Sequence, residues 1–111
     1  MSDHNHTGYI WNNVASGANR RHGPGANYNV IDTLPAGASL IVLCYSHGQS
    51  ETFTAPNGQT YTSDIWDFVV TSDQDRGGYV ADVFVDTGGD TAQQLGAQGT
   101  CDALRQHLAN P

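Results

Sequence analysis

The sequence predicts a small all-β domain, and three observations lead to this prediction. The chain has 111 residues, which is a single-domain length. Only 14% of the residues are charged and 13 are glycine, a composition that suits a loop-rich β fold better than a helical bundle. Short apolar runs rich in β-branched residues alternate with Gly, Pro and Asn turn residues along most of the chain.

The chain opens with a polar stretch over residues 1–7 that predicts a flexible lead. It lacks the basic and apolar regions of a signal peptide. Residues 8–11 (Gly-Tyr-Ile-Trp) predict the first strand, and the Asn and Gly residues after it predict a loop.

The most informative segment covers residues 19–37. Pro24 fixes its own φ angle, and the flanking Gly23 and Gly25 allow the chain to reverse sharply. A short apolar run at residues 28–31 then predicts a strand, and the Pro-Ala-Gly sequence at 35–37 predicts the next turn.

Two further strong strands are predicted at residues 39–45 and 65–70, since both are aliphatic and β-branched. Between them lies a polar insertion, in which the Asn57-Gly58 pair is typical of a hairpin turn. The insertion therefore predicts a two-stranded arm near residues 49–62. Sheet structure resumes at residues 78–80.

The C-terminal region predicts a Gly- and Gln-rich linker at 87–100 and a tail at 102–110 that could form a short helix. Cys44 and Cys101 are either two free thiols or a disulfide. We favour the disulfide, because Cys101 would anchor an otherwise weakly structured tail, and such bonds persist outside the cytoplasm. We accordingly expect an extracellular or cell-wall-associated protein.

The segment from Asn19 to Gly37 resembles the signature of bacterial SH3 (SH3b) domains, N-x-R-x-G-P-G-x-x-Y-x-x-I/V-x-x-L-x-x-G-x-x-V. Further on, Trp66 to Val69 and Gly78 to Val80 resemble the second half of the same pattern. The resemblance implies an SH3-like barrel of five to seven strands over residues 8–86, with a 3₁₀ turn at 81–83. Outside the resemblance, we expect a linker and tail at 87–111 that is tethered through Cys101.

Charge excludes some classes of partner. The formal net charge is −7 and all four basic residues are arginines, which disfavours a nucleic-acid binder. No apolar run is long enough to insert into a membrane.

Catalytic motifs are not apparent, so we expect no enzyme. Cys44 lies in the most apolar strand, where a thiol is inert. A catalytic pair with His47 is not expected, because residues three apart on a strand generally point to opposite faces. Asp64 and Asp67 could be proposed as paired catalytic carboxylates, but solvated loop residues are the better interpretation.

Metal sites and cofactors are likewise not expected. His4 and His6 alternate on the lead and would need further ligands. The sequence Asp73-x-Asp75-x-Gly77 resembles the start of a calcium loop, but Phe84 stands where the closing glutamate is required.

Binding residues are suggested by the resemblance and by charge. In eukaryotic SH3 domains, aromatic residues of the first loop and the 3₁₀ region contact ligands, which implies roles for Trp66 and Phe84. The alternative is that both residues pack in the core. We also expect Tyr28, Arg20 and His22 to contribute, with Arg21 bonding loop carbonyls.

The resemblance implies a non-catalytic module that recognises bacterial cell-wall peptidoglycan or a glycan-peptide. The alternative is a secreted or phage-borne protein-interaction domain, such as an inhibitor, immunity factor or virion component. In either case the partner is a wall polymer or another protein.

Overall fold

The computed structural model describes residues 6–71, 74–88 and 99–103, and the strands in these ranges form one antiparallel β-sheet. This confirms the all-β prediction. Within these ranges the sheet has seven strands in the order β3-β2-β6-β5-β4-β1-β7. The elements are β1 (His6–Ile10), β2 (Ala18–Arg21), β3 (Val30–Leu34), β4 (Ser39–Thr54), β5 (Thr60–Thr71), β6 (Gln74–Ala81), a 3₁₀ turn (Asp82–Phe84) and β7 (Val85–Asp86).

The longest feature is the hairpin formed by β4, of 16 residues, and β5, of 12 residues. The predicted core strands and the predicted arm are therefore parts of one continuous hairpin. Register shifts between Val42 and Cys44 and between His47 and Glu51 separate its inner and outer halves. The hairpin turn lies at Asn57-Gly58 as predicted, and Gly58 adopts a φ of 88°, which glycine tolerates best.

Strand β2 was not predicted, because its sequence Ala-Asn-Arg-Arg is polar. It pairs with β3 on one side and with β6 on the other. The polar side chains are accommodated because Arg20 is paired with Asp32 of β3.

The first and last described strands are neighbours, because β1 pairs with β4 on one side and with β7 on the other. A 3₁₀ turn precedes β7, one residue later than expected. Strand β1 begins at His6, and residues 1–5 of the predicted lead lie outside the described residues.

The core consists of two clusters. The larger is aliphatic and includes Leu40, Val42, Val69 and Val80, each with no exposed surface. The smaller is built from Trp66, Ala81 and Val83 and is partly covered by aromatic rings. Phe53 packs against both clusters and therefore joins them.

A disulfide joins Cys44 of β4 to Cys101, whose Cα atoms are 4.9 Å apart. Next to it, Tyr45 and Thr100 form an isolated parallel bridge. The structure thus holds residues 99–103 against β4. Most of the predicted linker and of the predicted helix at 102–110 lies outside the described residues.

Candidate functional site

Trp66 does not offer its ring to a ligand. Only 3% of its surface is exposed, and its Nε1 donates a hydrogen bond to the carbonyl of Gln49 at 2.8 Å. Phe84 is half-buried and packs edge-on against Phe53, with ring centroids 5.1 Å apart. Of the two interpretations given above, core packing describes Trp66, and Phe84 packs against the same cluster.

Arg20 was expected at a positive surface spot, but it is fully buried. Its Nε and Nη2 donate to the two carboxylate oxygens of Asp32, at 2.8 and 2.5 Å. A buried guanidinium needs a partner of this kind, because an uncompensated charge in the interior is costly. Arg20 therefore stabilises the β2–β3 pair and is not available to a ligand.

The Gly-Pro-Gly loop is held together by its own residues. The ring of Tyr28 lies against Gly23, where a Cβ atom would come within 2.4 Å of the ring carbons. Arg21 donates from Nη1 to the carbonyl of Tyr28 at 2.9 Å, as expected for a structural arginine. Tyr28 and His22 are exposed on this loop.

Gln49 connects this loop to Trp66. Its backbone N–H donates to the carbonyl of Pro24 at 3.2 Å, and its Oε1 accepts from the N–H of Ala26 at 2.9 Å. Its own carbonyl accepts the indole N–H of Trp66. Gln49 thus joins the Gly-Pro-Gly loop to Trp66 through structural hydrogen bonds.

A groove of about 720 Å³ lies elsewhere on the molecule, and we call it the aromatic groove. Three segments line it: Trp11 after β1, residues 57, 61–63 and 65 of the hairpin, and residues 82, 83 and 85–88 around β7. The rings of Trp11 and Tyr61 are nearly parallel, at 8°, with centroids 6.5 Å apart. Because β1 pairs with β7, Trp11 is carried to the edge of the 82–88 segment.

Both rings of the aromatic groove are fixed by hydrogen bonds. Trp11 donates from Nε1 to the carbonyl of Val83 at 3.0 Å, and its backbone N–H donates to Phe84 at 3.1 Å. The hydroxyl of Tyr61 donates to Oε1 of Gln59 at 2.7 Å. The tip of the hairpin is in turn held by Asn13, whose side chain donates to the carbonyl of Thr54 at 2.8 Å. The groove is therefore preorganised.

Two carboxylates lie along the same groove, at Asp82 and Asp86. Asp67, expected to be solvated, is instead fully buried in β5, and neither of its oxygens has a hydrogen-bond donor among the described residues. Burial raises the pKa of Asp67 well above its usual value, and a hydrogen bond to Asp82 and repulsion by its charge raise it further. A proton retained on Asp67 supplies the missing donor, with Asp82 as the acceptor.

Sequence reasoning did not identify the aromatic groove, since its residues come from three distant segments. Tyr61 could have been found from the Asn57-Gly58 turn, which places it on the hairpin tip. Nothing local to Trp11 indicates that it faces Tyr61.

Among the described residues, no group of three or more His, Cys, Asp or Glu side chains is placed to hold a metal ion. Within the same ranges, none of the helical segments is long and apolar enough to cross a membrane.

Comparison with known proteins identifies relatives in Bacillus subtilis strain 168. The chain is 39% identical to the uncharacterized protein YraJ over 88 residues, covering 74% of this chain and 70% of YraJ. It is 32% identical to the uncharacterized protein YraI over 87 residues, covering 74% of this chain and 69% of YraI. No protein-family model and no solved structure matches the chain. At this identity and coverage, the chain belongs to the protein family that includes YraJ and YraI of Bacillus subtilis.

Proposed function

We propose that this protein is a non-catalytic module that binds bacterial cell-wall peptidoglycan or a glycan-peptide through the aromatic groove. The observation that carries the proposal is the fixed, nearly parallel pair of Trp11 and Tyr61 at the wall of a groove of about 720 Å³. Rigid aromatic rings offer a large contact area at a small cost in conformational entropy, and Trp and Tyr are enriched where binding energy is concentrated.

Several features support an SH3b-like barrel as the scaffold. The signature loop at residues 23–25 is closed by Tyr28, and a 3₁₀ turn precedes the last described strand. The strand order also places β1 beside β7, so that the first and last described strands are neighbours in the sheet.

The hydrogen bonds of the groove support binding rather than catalysis. The indole N–H of Trp11 and the hydroxyl of Tyr61 are both engaged within the protein. One oxygen of Asp86 accepts the N–H of Gly88 at 3.0 Å. These groups hold the shape of the groove. The Cys44–Cys101 disulfide supports a site of action outside the cytoplasm, where such bonds persist.

The test is retention of the purified protein on intact bacterial cell walls and on walls stripped of teichoic acid. We expect the wild type to be retained on both, and the Trp11→Ala/Tyr61→Ala variant to be lost from both. The matched control is Tyr28→Ala, which removes a ring of comparable exposure from the Gly-Pro-Gly loop. Circular dichroism establishes that each variant is folded.

Failure of the wild type to bind any wall preparation would overturn the proposal. The alternative of a protein-interaction domain would then be examined by looking for a protein that co-purifies with the chain. Loss of binding in Tyr28→Ala alone would place the ligand on the loop instead of in the groove.

A further inference from the structure

The charged side chains among the described residues that line the aromatic groove are all acidic. Asp82 and Asp86 lie along it, whereas the described residues that line it include no Lys, Arg or His. Of the four arginines in the chain, Arg20 is buried against Asp32 and Arg21 is bonded to the carbonyl of Tyr28. The groove is therefore negative, and neither of these two cations lies along it.

The two carboxylates are spaced around the segment that holds Trp11. Asp82 begins the 3₁₀ turn, and Asp86 ends β7 four residues later. Between them lie Val83 and Phe84, whose carbonyls accept the hydrogen bonds from Trp11. The indole ring and both carboxylates thus belong to one tightly connected piece of structure.

Asp67 provides an independent observation beneath this wall. It is fully buried in β5 opposite Val80, two residues before Asp82, so a carboxyl group lies behind the wall that carries Asp82. The negative charge of this wall is therefore carried by Asp82 and Asp86, and it would attract a cationic ligand that occupies the groove.

The aromatic rings favour the same kind of ligand. The faces of Trp and Tyr attract cations through the ring quadrupole, and Trp does so most strongly. A group that meets both the ring faces and a carboxylate gains cation–π attraction and a charge-assisted hydrogen bond together. An ammonium group satisfies both requirements, because it carries three donors and a compact positive charge.

We infer that the aromatic groove recognises a primary ammonium group on its ligand, held by Asp86 and Asp82 against the rings of Trp11 and Tyr61. The inference rests on the proposed function, and in a glycan-peptide polymer it selects the free amino groups of the peptide part. A carboxylate or phosphate group of the wall would be repelled from this groove.

The experiment compares two halves of one cell-wall preparation stripped of teichoic acid. One half is treated with acetic anhydride, which converts primary ammonium groups into neutral amides, and the other is left untreated. We expect the wild type to bind the acetylated half about tenfold more weakly, as for loss of a charge-assisted hydrogen bond. Equal binding to both halves would overturn the inference but leave the proposed function intact. Failure to bind the untreated half would overturn both.

Variants then assign the effect to the groove. Asp86→Asn removes one charge yet retains an oxygen that can accept the Gly88 N–H, and we expect it to bind untreated walls about tenfold more weakly. The matched control is Asp64→Asn, which removes the same charge from a side chain that is 52% exposed, outside the groove and paired with His47. We expect the control to bind as the wild type does. An equal loss of affinity in both variants would show that binding depends on net charge alone, and would overturn the inference.

Discussion

The Gly-Pro-Gly loop and the aromatic groove differ in how they are encoded and in what their side chains do. The loop is built from residues close in sequence, and its conspicuous side chains, Arg21 and Tyr28, contact the loop itself. The groove brings together Trp11, Tyr61 and Asp86 from distant segments, and fixes them on an open surface. A local sequence motif can thus reflect the requirements of a backbone turn. A binding surface that is assembled from distant segments has no local sequence pattern of this kind.

The contrast between the loop and the groove can be tested with substitutions that change the free energy of unfolding and the binding affinity separately. Substitutions around the loop should alter the free energy of unfolding and leave the wall affinity of the folded protein unchanged. Substitutions in the groove should do the opposite.

The largest loss of stability is expected for Arg20→Ala, beside the loop. It removes the guanidinium that pairs with Asp32, and breaking a buried ion pair costs about 3 kcal/mol. Urea denaturation measures the loss. Arg21→Ala is the control, since it removes only one exposed hydrogen bond to a carbonyl, and it should cost about 1 kcal/mol or less. Equal effects of the two substitutions would contradict a structural role specific to Arg20.

A pH-dependent effect is expected for Asp67→Asn, behind the groove. Because burial and Asp82 raise the pKa of Asp67 in the folded state, the unfolded chain releases this proton first as pH rises above about 4. The contribution of Asp67 to stability is then present at low pH and is lost with rising pH, by at most about 1.4 kcal/mol per pH unit.

Asp67→Asn should therefore be more stable than the wild type near pH 7, with a difference that shrinks towards pH 4. Denaturation curves of both proteins across this range provide the measurement, and exposed Asp64→Asn serves as the control. A difference between Asp67→Asn and the wild type that does not vary with pH would show that Asp67 ionises normally.

A smaller effect is expected for Gly23→Ala, because the added Cβ atom would meet the Tyr28 ring. Overpacking of this kind costs about 1–2 kcal/mol. The double variant with Tyr28→Ala should restore most of that loss, since the clashing ring is gone. A double-mutant cycle measures this coupling, and additive effects of the two substitutions would show that the ring moves aside freely.

The smallest effect on stability is expected for Tyr61→Ala in the groove. Its ring is 39% exposed on the hairpin, and surface substitutions usually change stability by less than about 0.5 kcal/mol. Wall affinity should fall severalfold in the same variant. Unchanged affinity would show that Tyr61 does not contribute to wall binding, and would weaken the contrast between the groove and the loop.

Local patterns predicted the elements whose causes are local. The apolar runs of β4 and β5 and the Asn57-Gly58 turn between them required no information from elsewhere in the chain. Strand β2 could not be recognised in this way, because Arg20 is buried only by virtue of Asp32, 12 residues away. Polar residues in a strand are predicted correctly only when their partners are known.

The candidate site was less predictable than the fold for the same reason. Trp66 and Trp11 are the two tryptophans of the chain, and the sequence does not distinguish the buried one from the one that lines a groove. Their roles depend on tertiary neighbours, the Gln49 carbonyl for Trp66 and the parallel ring of Tyr61 for Trp11. Asp67 lies in a predicted strand but was expected to be solvated, and its burial depends on the pairing of β5 with β4 and β6.

The disulfide between Cys44 and Cys101, which are 57 positions apart, closes a covalent ring of the chain. The hairpin tip, the 3₁₀ turn and β7 all lie within that ring, and of the described residues that line the groove only Trp11 lies outside it. A protease that cuts the backbone once within the ring therefore releases no fragment, and the two pieces stay joined until the disulfide is reduced. The groove can in this way outlast a single nick.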